Sequence, residues 1–163
     1  MAGPGNILIK IGADTTDAVR GIGAVETLKA FKGLDADLRK QANGELRAAA
    51  GVCARRLVEL LQASAASSGV PVAPRVARSA KVKSDRLPAV SVGGSRRVGR
   101  YGAPASALVW GSERGPRGDV NHWAVPPSAG HWIRPAVKRF EESGAPEEYS
   151  RAVDDLIQRY GLA

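Results

Sequence analysis

The sequence predicts an α+β domain: a small antiparallel sheet packed against one long helix, with short C-terminal helices and long loops. Apolar residues recur in steps of three and four from Leu34 to Leu61, the pattern of one helix face. Past Pro74 the spacing loosens to two, with Val76, Ala80 and Val82 set against Arg78, Lys81 and Lys83, as in a strand. Near the C-terminus, Pro146-Glu147-Glu148 opens and Gly161 closes an amphipathic stretch, the start and stop signals of a helix.

Ile7 to Ile11 reads as a short strand and Ala24 to Phe31 as a short helix ended by Gly33. The polar stretch between them reads as loop. The long helix starts at Leu34, where Asp35 and Asp37 can cap free amides and meet the positive end of the dipole. Its apolar face is Leu34, Leu38, Ala42, Leu46, Ala49, Cys53, Leu57, Leu60 and Leu61, and it ends near Ala65. Gly44 and Gly51 each weaken it by up to about 1 kcal/mol, so close approach of another element is the expected reason for small residues there. Ser64 to Pro74 reads as a hinge, and Leu87 to Val92 as the second strand of a hairpin turning at Ser84-Asp85-Arg86. Ala105 to Trp110 reads as a strand or a short helix, and Gly111 to Pro127 as a long loop. Trp132 to Phe140 begins a helical segment with Pro135 in its first turn. The last helix turns Tyr149, Val153, Leu156, Ile157 and Tyr160 inward.

The 163 residues suit one domain. Within it, 1–33 are an N-terminal strand and loop, 34–66 the long helix, 74–111 a basic sheet region, 112–131 a long loop and 132–163 the C-terminal helices. Aromatic residues make up only 5%, so the core must lean on Leu, Val, Ile and Ala. No run of about 20 apolar residues is present, and the N-terminus lacks the basic start and apolar stretch of a signal peptide. The expectation is a protein made in the cytoplasm, with no membrane partner. Cys53 is the only cysteine and has no internal disulfide partner.

The net charge of +8 is unevenly distributed. Residues 1–74 carry +2, residues 75–117 carry +8, and residues 118–163 carry −2. Such a patch favours nucleic acid or an acidic protein surface, or it is a solvated face. Arg75, Arg78, Lys81 and Lys83 lie on or beside one strand, and Arg96, Arg97 and Arg100 lie on the following loop with Tyr101 at its end. Cations beside an aromatic ring can bind phosphates and stack a base. Trp110, Trp123 and Trp132 cluster in the loop-rich region. A tryptophan there is a core plug or an interface anchor; Trp123 is read as interface and Trp132 as core.

Residues for chemistry are sparse. His122 and His131 lie nine apart with no Cys or Glu at ligand spacing, so packing or hydrogen bonding explains them better than metal binding. Cys53 falls on the apolar face of the long helix, where a thiol behaves as a small hydrophobe. Gly93-Gly94-Ser95 and Gly111 to Gly118 lack the spacing of a phosphate-binding loop. The expectation is a protein with no catalytic, metal or cofactor site.

Four segments carry a family likeness: the Leu46-Arg47-Ala48-Ala49-Ala50 stretch of the amphipathic helix, the Pro74 turn into Ala77-Arg78-Ser79-Ala80-Lys81-Val82-Lys83, then Val109-Trp110-Gly111-Ser112-Glu113-Arg114-Gly115-Pro116, and His131-Trp132-Ile133-Arg134-Pro135-Ala136-Val137. In this order the chain resembles the neck and tail-completion (head–tail joining) proteins of long-tailed bacteriophages, over about residues 34–160. It departs from them in lacking the Thr-Gly after the proline turn and in having Val109 where an acidic residue often stands. The resemblance implies a structural virion protein, of tail-completion or tail-terminator type. It implies a hexameric ring between head connector and tail tube, DNA passing through the lumen, no cofactor and no turnover. The interface residues expected are Arg78, Lys81, Lys83, Arg96, Arg97, Arg100, Trp110, Trp123 and Arg134. The alternative is a basic nucleic-acid-binding module.

Overall fold

The computed structural model describes residues 7–10, 24–116 and 125–162. In chain order they form β1 (Ile7–Lys10), α1 (Ala24–Ala30) running into a 3-10 turn (Phe31–Gly33), α2 (Ala36–Ser67), α3 (Ala73–Ala77), β2 (Lys81–Val82), β3 (Ala89–Val92), α4 (Ala105–Arg114), α5 (Ile133–Glu141) and α6 (Ala145–Arg159). The architecture is a small antiparallel three-stranded sheet, one long helix and shorter C-terminal helices. Among the described residues no helix is long and apolar enough to cross a membrane.

Helix α2 is the element around which the rest is built. Asp35 is its N-cap, with Oδ1 accepting from the Leu38 amide at 3.0 Å. It buries Ala42, Leu46, Ala50, Cys53, Ala54, Leu57, Leu61 and Ala65, in the predicted steps of three and four. Leu38, at the exposed start, stays 42% accessible. Each fully buried leucine contributes roughly 1.5–3 kcal/mol relative to leaving it in water. Packed against this face are α5 and α6, α3, and strands β2 and β3. Helix α6 turns Tyr149, Val153 and Leu156 inward. At its far end Tyr160 meets Phe31 edge-on at 6.2 Å and donates to Glu45 of α2 at 2.8 Å.

Strand β3 is central, with β1 and β2 antiparallel on either side. The register sets Leu8, Ser91 and Lys81 on one face and Ile9, Val90 and Val82 on the other. Val90 and Val92 are fully buried, so the face with Ser91 points away from the core.

Four expectations need correction. The segment from Val76 is not a strand: Ala73–Ala77 is helical, and only Lys81–Val82 pairs with β3. Val70, Ala73, Val76, Ala77 and Ala80 are all buried, and those steps follow a helical turn rather than alternation. Arg75 therefore lies on α3 and Arg78 caps its end. The hinge starts later, since α2 continues to Ser67. Strand β3 begins at Ala89 rather than Leu87, as Pro88 has no amide for the ladder. Ala105–Arg114 is one helix, so the first four residues of the predicted loop at Gly111 are helical, and the sheet region 74–111 holds two helices.

Candidate functional site

The Val109–Pro116 and His131–Val137 segments meet in space through Glu113. Its side chain is only 4% accessible. Oε2 accepts from the amides of Trp132 at 3.0 Å and Ile133 at 2.7 Å, and Oε1 accepts from the amide of Arg134 at 2.9 Å. These are free donors at the start of α5, where Trp132 stands at the N-cap and makes no side-chain cap bond. A carboxylate meets the positive end of that helix and takes the bonds that a local Ser or Asp would otherwise take. Beside it, Ser112 Oγ accepts from Trp132 Nε1 at 3.2 Å and donates to the Val109 carbonyl at 2.8 Å. Trp132 is fully buried.

Backbone bonds complete the clamp. The His131 amide donates to the Glu113 carbonyl at 2.7 Å and the Ser128 amide to the Arg114 carbonyl at 2.8 Å. Two glycines permit the approach. A Cβ at Gly130 would collide with Glu113 Oε1 and with Arg134 Cβ. Gly115 has φ 79° and a Cβ there would stand 2.7 Å from the Pro126 carbonyl oxygen.

The basic residues form a second feature. Lys81, Lys83 and Arg96 line a groove of about 570 Å³ on the outer sheet face, with Leu8, Ser91, Gly93, Gly94 and Ser95. Arg96 reaches across to donate to the Arg78 carbonyl at 3.1 Å. Buried Ser79 fixes the groove wall, its Oγ accepting from the Gly93 amide at 2.9 Å. The structure thus brings Lys81, Lys83 and Arg96 to one groove, and Arg78 joins them only through its backbone carbonyl. Arg97 and Arg100 stand on the adjoining loop: Arg97 donates to the Gly102 carbonyl at 2.8 Å, and Arg100 lies 5.8 Å from the ring centre of Tyr101, which is 91% exposed.

Trp110 is exposed on α4 with the Arg114 guanidinium 4.7 Å from its ring centre, an exposed cation–π pair. Arg134 is exposed in the first turn of α5, on the clamp rather than the groove. Trp123 and His122 lie outside the described residues. His131 Nε2 lies 2.8 Å from the Pro126 carbonyl oxygen.

Cys53 is buried, its Sγ 3.6 Å from the Ala145 carbonyl oxygen. Burial, with smaller contributions from Glu148 and Glu147, pushes its thiol from an ordinary 9.0 up to about 12. A thiol held protonated is a poor nucleophile. No group of three or more His, Cys, Asp or Glu is placed to hold a metal ion among the described residues.

Fold and site together define a class: a small α+β domain with a buried-carboxylate clamp, an exposed aromatic–arginine pair and a basic outer sheet face. Compared with protein-family models, curated proteins and solved structures, the chain matches none.

Proposed function

We propose that the chain is a structural protein of the head–tail junction of a tailed bacteriophage, of tail-completion or tail-terminator type, acting as a hexameric ring that joins head connector to tail tube. DNA passes through the lumen, and neither cofactor nor turnover is involved. The observation that carries this reading is the clamp. The two C-terminal segments that resemble the neck family are the two that Glu113 and Ser112 tie together. Sequence resemblance in separate stretches means more when those stretches form one physical unit, because a chance likeness in each would not require them to touch. The clamp leaves Trp110 and Arg134 exposed at its surface, as a subunit that contacts neighbours requires.

A phage lacking this gene, viewed in negative stain, tests the reading. Full heads and tails that are separate, and join when the protein is supplied, are the expected result. Tails of irregular length assign it to the terminator. Intact virions in normal yield remove the proposal.

A second reading, a basic nucleic-acid-binding module, is favoured by exposed Tyr101 beside Arg100, with Arg97 bonded to neighbouring Gly102. It requires affinity that falls steeply with salt, and a flat salt response removes it.

A further inference from the structure

Between Arg96 and Ala105 the chain closes a tight loop with Arg100-Tyr101 at its tip. The Val98 and Gly99 amides both donate to the Ala103 carbonyl at 3.0 Å, and the Gly102 amide donates to the Gly99 carbonyl at 3.0 Å. Below the tip Arg97 and Pro104 form a β-bridge, and the Ala105 amide donates to the Arg96 carbonyl at 2.8 Å. Arg97 Nη1 braces the loop from one side through the Gly102 carbonyl. Two glycines allow this closure. A Cβ at Gly99 would stand 2.7 Å from that of Ala103, and one at Gly102, where φ is 76°, 3.1 Å from Arg97 Nη1. The backbone is thus fixed by its own bonds while Tyr101 stands 91% exposed.

We infer that this tip is a stacking platform for an unpaired base, so that the nucleic acid it takes is single-stranded. The inference rests on the nucleic-acid reading and names the partner of that reading. Charge is the first ground. Arg96, Arg97 and Arg100 are exposed and none is ion-paired among the described residues. No Asp or Glu occurs between Asp85 and Glu113, and Glu113 is buried in the clamp. Arg96 and Arg97 each give a bond to a backbone carbonyl, but a guanidinium has five N–H donors, so others remain for phosphate oxygens. The ring itself is the second ground. Arg100 stands over Tyr101, 5.8 Å from the ring centre, which leaves the opposite face for a base. Within residues 96–104 Tyr101 is the one large apolar side chain that is exposed, since Val98 packs towards the core. A protein interface buries its aromatic anchors in a well-packed apolar surround; a lone ring among arginines and glycines suits stacking on a base instead. Duplex DNA keeps its base faces stacked on one another, so offering one to Tyr101 would first cost unstacking. A strand with free bases carries no such cost. The braced loop also has little freedom left to lose on binding.

Fluorescence anisotropy with a dye-labelled oligothymidine strand and a duplex of the same length, at about 50 mM salt, tests the inference. The strand is expected to bind more tightly than the duplex. Tyr101→Ala is expected to weaken strand binding roughly tenfold or more while leaving duplex binding and the urea midpoint unchanged; Tyr101→Phe, which keeps the ring, should bind as wild type does. Arg100→Ala should reduce the slope of log affinity against log salt by about 0.7. Photocrosslinking to a strand carrying 5-iodouracil should place the adduct on Tyr101. Equal affinity for strand and duplex, indifference to Tyr101→Ala, or an adduct elsewhere overturns the stacking inference, and the nucleic-acid reading survives if binding still falls steeply with salt. Absence of binding to either probe removes that reading and the inference with it. A Tyr101→Ala protein that keeps its affinity for the strand but loses self-association in sedimentation also overturns the inference and gives the tip to a neighbouring copy.

Discussion

Glu113 brings a carboxylate into the interior and gives each of its bonds there a backbone donor. Removing such an acceptor leaves buried amides unpaired, at about 1–3 kcal/mol per group. Glu113→Ala is therefore expected to cost roughly 3 kcal/mol or more. Glu113→Gln, which keeps the shape but turns one end into a donor facing N–H groups, should cost less, about 1–2 kcal/mol. Urea melts of the three proteins check the order; equal midpoints for wild type and Glu113→Ala would show the clamp to be idle. Cys53 gives a second prediction at this scale. Its thiol and the Tyr149 hydroxyl are both raised, chiefly by burial. Below the ordinary thiol value both folded and unfolded chains hold the proton, and pH has no effect through Cys53. Above it the unfolded chain loses the proton first, so stability falls as pH rises from 9.0 towards about 12. Urea midpoints should drop over that window, with a shallower slope in Cys53→Ala. A thiol reagent at neutral pH should label the native protein far more slowly than the urea-unfolded one.

Helix α2 was legible because its apolar residues keep one period over eight turns and Asp35 marks its start. The C-terminal helices were legible for the same reason, through Pro146 and Gly161 at the ends of α6. Helix α3 was not: five residues hold too little periodicity to separate a turn of helix from a strand, and Pro74 suits either. The clamp was less legible still. Glu113 sits in a Ser-Glu-Arg-Gly run that reads as part of a long loop, and its partners lie 19 to 21 residues away. One signal was present, namely that α5 begins without a Ser, Thr, Asp or Asn before it, so its free amides needed a donor-seeking group from elsewhere. The basic residues were legible as a charge imbalance. Which of them share a groove depended on the β2–β3 register, which sequence alone does not set. Gly44 in α2 overturns another expectation, since a Cβ there would meet nothing within 4 Å. No described element explains it. Gly44→Ala should therefore stabilise the isolated protein by about 0.5–1 kcal/mol, seen as a raised thermal midpoint; a lowered midpoint would mean the site is tighter than the backbone indicates.

At the scale of the whole molecule, α2 contacts α3, α5, α6, β2, β3 and the 3-10 turn, and this arrangement predicts cooperative unfolding. Tryptophan fluorescence, to which Trp132 at the clamp contributes, and far-UV circular dichroism, to which all the helices contribute, should report one coincident urea transition. A fluorescence change that precedes the loss of helix would make the clamp region a separate, weaker unit. The charge segregation also acts at this scale. Positive charge gathers in the middle of the chain, on the stretch that holds Lys81, Lys83 and Arg96, and favours an acidic partner there.

The clamp has one more consequence. By joining Glu113 to His131 and Arg114 to Ser128 through the backbone, it staples both ends of the intervening stretch to the same small core. The separation of α4 and α5 is thereby fixed at the two ends of that stretch, by Glu113, Gly130 and Trp132.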